Sequence, residues 1–366
     1  MGTGEASELD RELDHDRVEL LSDHETGLRG VIAIHSQALG PAMGGLRLNG
    51  YPNLTAAIVD ALRLSRAMTW KNSAAGLDLG GGKAVLVDDG GWRDPELREA
   101  RMRALGRRIG RLGGAYVTAE DVGTNPEDMV AIGRETRWVA GRPRGEGGRG
   151  DPSAATARTV FAAIGAGVEA RLGRADLDRV RVGVLGCGHV GSRLARMLAA
   201  AGAELVVADV VPGRAAEVAI ELDAAVAAPD ELVLADLDVL SPCALGGTIE
   251  PHHLGSLRAR VIAGAANNQL SDPGLAPALD SAGVLYVPDF LANCGGIIDV
   301  GAEVLDLGDA EVEQRLQEAE LRIREVLLRA EREGRVPWEL ALEIARERVA
   351  RAEAGEESRP PLEVAG

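Results

Sequence analysis

A chain of 366 residues with 46% apolar and 27% charged residues has the composition of a soluble globular protein and is long enough for two cores. Its formal net charge of −17 disfavours nucleic acid as a partner, and no apolar run is long enough to span a membrane. Aromatic residues make up only 2%, so Ala, Val, Leu and Ile must fill the cores.

The acidic start, Met1 to Asp16, has no apolar stretch of the kind a signal peptide carries. Cys187, Cys243 and Cys294 are far apart and form no CxxC pair, which fits a reducing compartment and a cytoplasmic protein. The histidines show no HExxH spacing, and the His252-His253 doublet cannot readily share one face of an element, so no metal site is expected.

In chain order, Leu28–His35 reads as a strand, and Leu54–Met68 as an amphipathic helix with Ile58, Leu62 and Ser65 on one stripe. Lys71 follows it. Gly80-Gly81-Gly82 precedes Lys83, the start of a strand to Val87. Three glycines imply exposed backbone, close approach or positive φ, and a lysine beside them can lose solvent and hence basicity. The segment lacks the spacing of a P-loop. Pro95 opens a helix to Leu112, and Asp121 follows an apolar stretch at Tyr116-Val117. In extended backbone Asp121 and Glu120 point to opposite sides.

Arg142–Asp151, RPRGEGGRGD, has little that a core could use and marks a boundary near residue 150. Ser153 is a candidate cap for a helix to Leu172. Strands are then predicted at Val180–Leu185, Leu205–Ala208, Val239–Leu240, Val261–Ala263 and Leu285–Val287, with a helix at His189–Ala201. Apolar strands alternating with helices predict a doubly wound parallel sheet. Helices at Ala310–Glu333 and from Pro337 to Ala352 follow, then a frayed tail, Ser358–Gly366.

Gly186-Cys187-Gly188-His189-Val190-Gly191 joins a predicted strand to a predicted helix. Gly186 allows the turn, Gly188 lets a pyrophosphate approach the backbone, and Gly191 lets helix and sheet close up. N–H groups at the helix start, including those of His189 and Val190, offer an anion site. Asp209 ends the next strand, where a carboxylate accepts ribose hydroxyls and repels a 2′-phosphate, predicting NAD rather than NADP. Asn267, after a strand taken to end at Ala266, and Asn293, past the last strand, are placed to meet cofactor or substrate.

The chain resembles the Glu/Leu/Phe/Val amino acid dehydrogenase family, most closely its small NAD-linked members. The resemblance rests on Gly40-Pro41-Ala42-Met43-Gly44-Gly45-Leu46-Arg47, Met68-Thr69-Trp70-Lys71-Asn72, Gly80-Gly81-Gly82-Lys83 and Thr118-Ala119-Glu120-Asp121-Val122-Gly123-Thr124. In the second half it rests on Gly150-Asp151-Pro152-Ser153, Ser241–Gly247, Gly264–Leu270, Pro288-Asp289-Phe290 and Asn293–Gly296. These motifs keep the family's order across residues 28 to 303.

The resemblance implies a two-domain α/β protein. Residues 1–150 would form a mixed-sheet substrate and oligomerisation domain, and 151–330 a Rossmann NAD domain. Residues 331–366 would add a helix packing back toward the first domain, and the family closes a cleft between its domains. It implies Lys83 as the catalytic lysine and Asp121 as the acid that holds the amino group. Lys71 would pair with the substrate α-carboxylate beside Gly44 and Gly45. Met43, Ala119, Ile297 and Val300 would line the side-chain pocket. Thr156, Ala265, Asn267 and Asn293 would lie near the nicotinamide, Asn267 also near substrate. A like-charged neighbour would lower the Lys83 pKa.

The implied reaction is reversible oxidative deamination of an apolar L-amino acid to a 2-oxo acid and ammonia, in a homo-oligomer. Valine or leucine is favoured and phenylalanine stays open; glutamate is disfavoured because its distal carboxylate would be buried unpaired. A hydroxy-acid dehydrogenase would more naturally use a histidine base, and a non-catalytic NAD sensor would not need Lys71, Lys83 and Asp121. Leu46, Trp70, Cys294 and Asp299 depart from the usual family residues and are expected near the pocket.

Overall fold

The computed structural model describes Leu9 and residues 12–244 and 246–356; the expected frayed tail, 358–366, lies outside the described residues. The chain divides into two compact units. The first takes the described residues up to Asp151, then Asp299–Asp309 and the chain from Ala345; the second takes Pro152–Ile298 and Ala310–Ile344.

The first unit contains β1 (Arg17–Ser22), β2 (Arg29–Ser36), β3 (Ala42–Asn49), α1 (Leu54–Ala74), β4 (Gly80–Val87), α2 (Pro95–Arg111), β5 (Tyr116–Glu120) and α3 (Pro126–Gly133). Its sheet runs β1-β2-β4-β3-β5. β2 is antiparallel to both its neighbours, whereas β4, β3 and β5 are parallel. Side-chain alternation divides the two faces. Val31, Ala33 and Val85 pack with Ala57, Ala61 and Leu62 of α1. Ile32, Ile34, Leu46, Ala84 and Leu86 pack with Met102, Leu105 and Ile109 of α2 and with Met129 and Ile132 of α3.

Asn53 caps α1 by accepting the Ala56 N–H at 2.8 Å. The helix runs six residues beyond Met68, the expected end. Its last turns bury Thr69, Asn72 and Ser73, polar residues that conceal the helix in the sequence. They are tolerated because they are bonded: Asn72 Nδ2 donates to Gly80 O at 2.6 Å, and Ser73 Oγ to Ala345 O at 2.7 Å. The extension places Lys71 on the last turn of α1.

Gly80–Gly82 are not exposed backbone either. They are the buried first residues of β4, and none has a positive φ. Close approach is what requires them. A Cβ on Gly81 would stand 2.1 Å from Thr69 Oγ1, and one on Gly82 2.6 Å from the Tyr116 ring.

The second unit contains α4 (Ser153–Leu172), β6 (Arg181–Leu185), α5 (His189–Ala200), β7 (Glu204–Ala208), α6 (Pro212–Leu222), β8 (Ala225–Val226), α7 (Pro229–Val233), β9 (Val239–Pro242) and β10 (Val261–Ile262). α8 (Leu275–Ser281), β11 (Leu285–Tyr286), α9 (Asp289–Ala292), α10 (Cys294–Leu305), α11 (Asp309–Glu333) and α12 (Pro337–Glu353) follow, with α10 and α12 shared between the units. The sheet order is β11-β10-β9-β6-β7-β8, all parallel. This is the doubly wound order, whose strand sequence reverses between β6 and β9.

Three local expectations are corrected. Pro152, not Ser153, holds the cap position of α4, and Ser153 is buried in the first turn. β10 ends at Ile262, so Asn267 lies in a loop that Gly264 starts by folding onto Pro242. Asn293–Gly296 joins α9 to α10 instead of trailing a strand. There Gly295 lets α10 close on α4, since a Cβ would stand 2.0 Å from Ala155 O. Among the described residues no helix is long and apolar enough to cross a membrane.

Candidate active site

In the first unit, β4 and the end of β5 bring Lys83 and Asp121 together. Lys83 Nζ donates to Asp121 Oδ2 at 2.5 Å, and the lysine is only 5% exposed. Gly45 on β3 makes the space: a Cβ there would stand 2.6 Å from Asp121 Cβ and 3.2 Å from Lys83 Nζ. Gly44 lets β3 close on β4, since a Cβ would meet Gly82 O at 1.8 Å. Tyr116 fixes that stretch by donating its hydroxyl to Gly44 O at 3.0 Å. The Thr124 hydroxyl accepts the Asp121 N–H at 3.0 Å and so sets the turn that presents the carboxylate.

Burial pushes the Lys83 amine below its ordinary pKa; Asp121 pulls the other way, and Arg47 adds to the downward push. Burial alone would raise the Asp121 carboxyl, but Lys83, with help from Arg47, holds it below the usual range. The cation expected to act on Lys83 is thus an arginine, and it ranks behind burial. Arg47 lies two residues after Gly45 on β3, so strand alternation puts both on the Lys83 face. Its Nε is 3.5 Å from Asp121 Oδ2.

A further signal lies in the composition. Of 40 basic residues, only two are lysines, Lys71 and Lys83. Every other cationic side chain is arginine, which does not titrate in proteins; the chain keeps a titratable amine only in these two motifs.

Met43 is fully buried and on the same face as Gly45; its carbonyl accepts Asn72 Nδ2 at 3.3 Å. Lys71 neighbours Asn72 on α1, and Ala119 pairs in register with Gly45. Val300 falls in the first unit, whereas Ile297, earlier on α10, falls in the second. Of the departures from the family pattern, Leu46 sits differently from expectation. Leu46 points into the α2 side of the sheet, because strand alternation turns it away from Gly45. Trp70 packs edge-on against His35, Cys294 is fully buried, and Asp299 is held by Arg149 Nε at 2.9 Å.

In the second unit the glycine loop lies at the carboxyl end of β6, beside the strand-order reversal. Gly186 has φ +105°, a left-handed conformation that glycine tolerates. A Cβ on Gly191 would meet Gly186 O at 1.8 Å, so α5 closes tightly on the loop. Gly188 differs: a Cβ there would meet nothing within 4 Å. That open space lies at the start of α5, beside His189 and Val190, where a helix N-terminus favours an anion. Asp209 closes the loop by accepting the Cys187 N–H on Oδ2 and the Val211 N–H on Oδ1, both at 2.7 Å.

Asn293 Nδ2 donates to Ala265 O at 3.1 Å and to Asn267 Oδ1 at 2.8 Å, joining three expected nicotinamide-side residues. Asn293 Oδ1 is buried without a partner, an acceptor that a carboxamide N–H would satisfy. Thr156 lies on α4 against Gly296, its hydroxyl bonded to Pro152 O at 3.1 Å. The open cradle, the orphaned acceptor and the terminal carboxylate fit a dinucleotide.

Fold and site together define a nucleotide-linked dehydrogenase with a lysine–carboxylate pair. Residues 15–138 match the Glu/Leu/Phe/Val dehydrogenase dimerisation domain, and residues 210–356 the Glutamate/Leucine/Phenylalanine/Valine dehydrogenase family. Residues 162–254 also match the NAD binding domain of D-isomer specific 2-hydroxyacid dehydrogenases, a likeness confined to the nucleotide half. Leucine dehydrogenase of Bacillus subtilis (strain 168) is 39% identical over 92% of each chain. Valine dehydrogenase of Streptomyces coelicolor is 40% identical over 92% of this chain and 93% of its own. The crystal structure of L-tryptophan dehydrogenase from Nostoc punctiforme matches with a TM-score of 0.83 at 35% identity, covering 95% of this chain and 99% of that one. The chain belongs to the Glu/Leu/Phe/Val dehydrogenase family. It is an NAD-dependent amino-acid dehydrogenase.

Proposed function

We propose that the chain oxidatively deaminates a branched aliphatic L-amino acid, with Lys83 as general base and Asp121 as the group that holds and protonates the departing nitrogen. The supporting observation is the 2.5 Å contact between Lys83 Nζ and Asp121 Oδ2 in a buried setting opened by Gly45. Lys71 binds the substrate α-carboxylate, and the Gly44-Gly45 backbone lines that end of the substrate. Gly186, Gly188, His189, Val190, Gly191 and Asp209 hold the dinucleotide, with Thr156, Ala265, Asn267 and Asn293 on its nicotinamide side. NAD, when bound, takes the hydride from the α-carbon. Lys83 Nζ, as a free amine, removes a proton from the water that adds to the resulting iminium carbon. Asp121 takes a proton from the substrate ammonium before the hydride leaves and returns it to the nitrogen of the carbinolamine; as the C–N bond breaks the hydroxyl proton passes to solvent, so that ammonia leaves and the 2-oxo acid remains.

Met43, Ala119 and Val300 carry no charge, which favours an apolar side chain over glutamate. The leucine and valine dehydrogenase relatives support the branched aliphatic choice. The tryptophan dehydrogenase likeness, with the small Ala119, supports an aromatic side chain as the second reading. Parallel kcat/KM values for leucine, valine, phenylalanine and tryptophan separate the two. A homo-oligomer built through the first unit accords with the dimerisation-domain match.

Lys83→Ala tests the base assignment. Deamination should fall about 10³-fold with NAD affinity unchanged. Near-normal turnover would reject it, and NAD binding with no turnover in the unaltered chain would favour a sensor.

A further inference from the structure

Arg47 is a partly buried guanidinium whose Nε has no hydrogen-bond partner, although it is 3.5 Å from the carboxylate oxygen that Lys83 holds. Its other end is anchored: Nη1 donates to Asp60 Oδ2 at 3.3 Å, and the Tyr51 hydroxyl donates to the same oxygen at 2.5 Å. Burial, and then hydrogen bonding to Asp60, raise the Tyr51 hydroxyl well above its ordinary range, so it stays a donor. The guanidinium is therefore held beside Asp121, near enough for charge but short of a good hydrogen bond while Lys83 occupies the carboxylate.

This geometry addresses a difficulty in the reaction. With Lys83 protonated, the charges of Lys83, Asp121, Arg47 and Asp60 cancel. Once Lys83 gives up its proton, Asp121 is a partly buried carboxylate that has lost its closest counter-ion, a costly state. We infer that Arg47 is a positioning residue for the amine chemistry: a permanent cation, braced by Asp60 and Tyr51, that takes over Asp121 Oδ2 when Lys83 becomes neutral and that keeps Lys83 from drawing the proton back. An arginine suits this task because it cannot itself deprotonate, and the unmet Nε–H points to a bond that forms in the other protonation state.

The ionisable groups on the elements around Lys83 are Tyr116 and Glu120 on β5 and Asp121 after it, Arg47 on β3, Asp60, Arg63, Arg66 and Lys71 on α1, and Arg29 and His35 on β2. Among them Arg47 is the cation that acts on Lys83 in the downward direction, after burial. The inference rests on Lys83 being the base, and the experiment separates the two claims.

The measurement is kcat/KM for deamination across the alkaline range, in full-length Arg47→Met, Arg47→Lys, Asp60→Asn and Lys83→Ala proteins. Activity rises with pH as Lys83 deprotonates. Arg47→Met should move that limb upward by about one pH unit. Arg47→Lys should bring it back toward the parent, and Asp60→Asn, which removes an anion, should move it downward. Opposite shifts for the two charge deletions are a signature that disturbed packing does not give. An Arg47→Met enzyme that loses activity evenly at all pH values, with its limb in place, would overturn the inference. If Arg47→Met does not fold, Asp60→Asn decides, and an unmoved limb again overturns it. An active Lys83→Ala enzyme would sink both claims; an inactive one with an unmoved limb in Arg47→Met sinks only this one.

Discussion

The Gly186–Gly191 loop and the Lys83 region, the two candidate sites, are built in opposite ways. The loop from Gly186 to Gly191 is built from backbone: a turn with φ +105° and one unfilled space at Gly188, at the start of α5. The Lys83 region works through side chains packed on a sheet face, and its glycines serve to bring charged groups into contact. A backbone site is local in the chain, whereas a side-chain site is gathered from β3, α1, β4 and the end of β5. Glycine therefore means different things in the two regions, and substitution there should fail differently.

The largest difference is expected from Gly45→Ala. Its new Cβ would crowd Asp121 Cβ at 2.6 Å and push the acid away from Lys83. Turnover should drop about 10²-fold, the usual result of an ångström-scale misplacement, with NAD affinity unchanged. Retained turnover would show that the pair tolerates separation. Gly188→Ala is the counterpart in the second unit. Its Cβ meets no protein atom within 4 Å, so the melting temperature should hold while NAD affinity weakens on the order of tenfold, 1.4 kcal/mol. A fall in stability without a change in affinity would mean that the open space is not the phosphate cradle.

Legibility in the sequence follows the same division. The nucleotide loop could be read because Gly186, Gly188 and Gly191 fall within one short segment, lie between a strand and a helix, and precede Asp209. Lys83 and Asp121 could be picked out singly, but their contact depends on register between β3, β4 and β5. β3 was hidden because Gly44 and Gly45 disguise a strand, and the end of α1 because Asn72 and Ser73 are buried polar residues. Arg47 looked like one arginine among many until β3 put it on the Gly45 face. The scarcity of lysine was visible throughout and points to Lys71 and Lys83 without any structure.

A smaller effect should come from beneath the lysine strand. His35, bonded to Thr69 Oγ1 at 2.8 Å on the helix that Gly81 packs against, has its pKa pushed down to about 4. Burial is the main cause, followed by the neighbouring His15. The folded protein then keeps His35 neutral where the unfolded chain would protonate it. Stability should fall as pH drops from about 6.5 toward about 4, by at most about 3 kcal/mol from this residue. His35→Gln should flatten that part of the profile of melting temperature against pH. An identical slope in the variant would remove His35 from the account.

The most direct measurement follows the amines themselves. With lysine labelled at the side-chain nitrogen, a chain with only two lysines gives two side-chain resonances, and Lys83→Ala identifies its own by deletion. Titration should place Lys83 below the ordinary lysine value of about 10.5, because burial disfavours its charged form more than Asp121 restores it. A Lys83 that stays protonated to pH 10.5 or beyond would contradict its role as the free amine of the reaction.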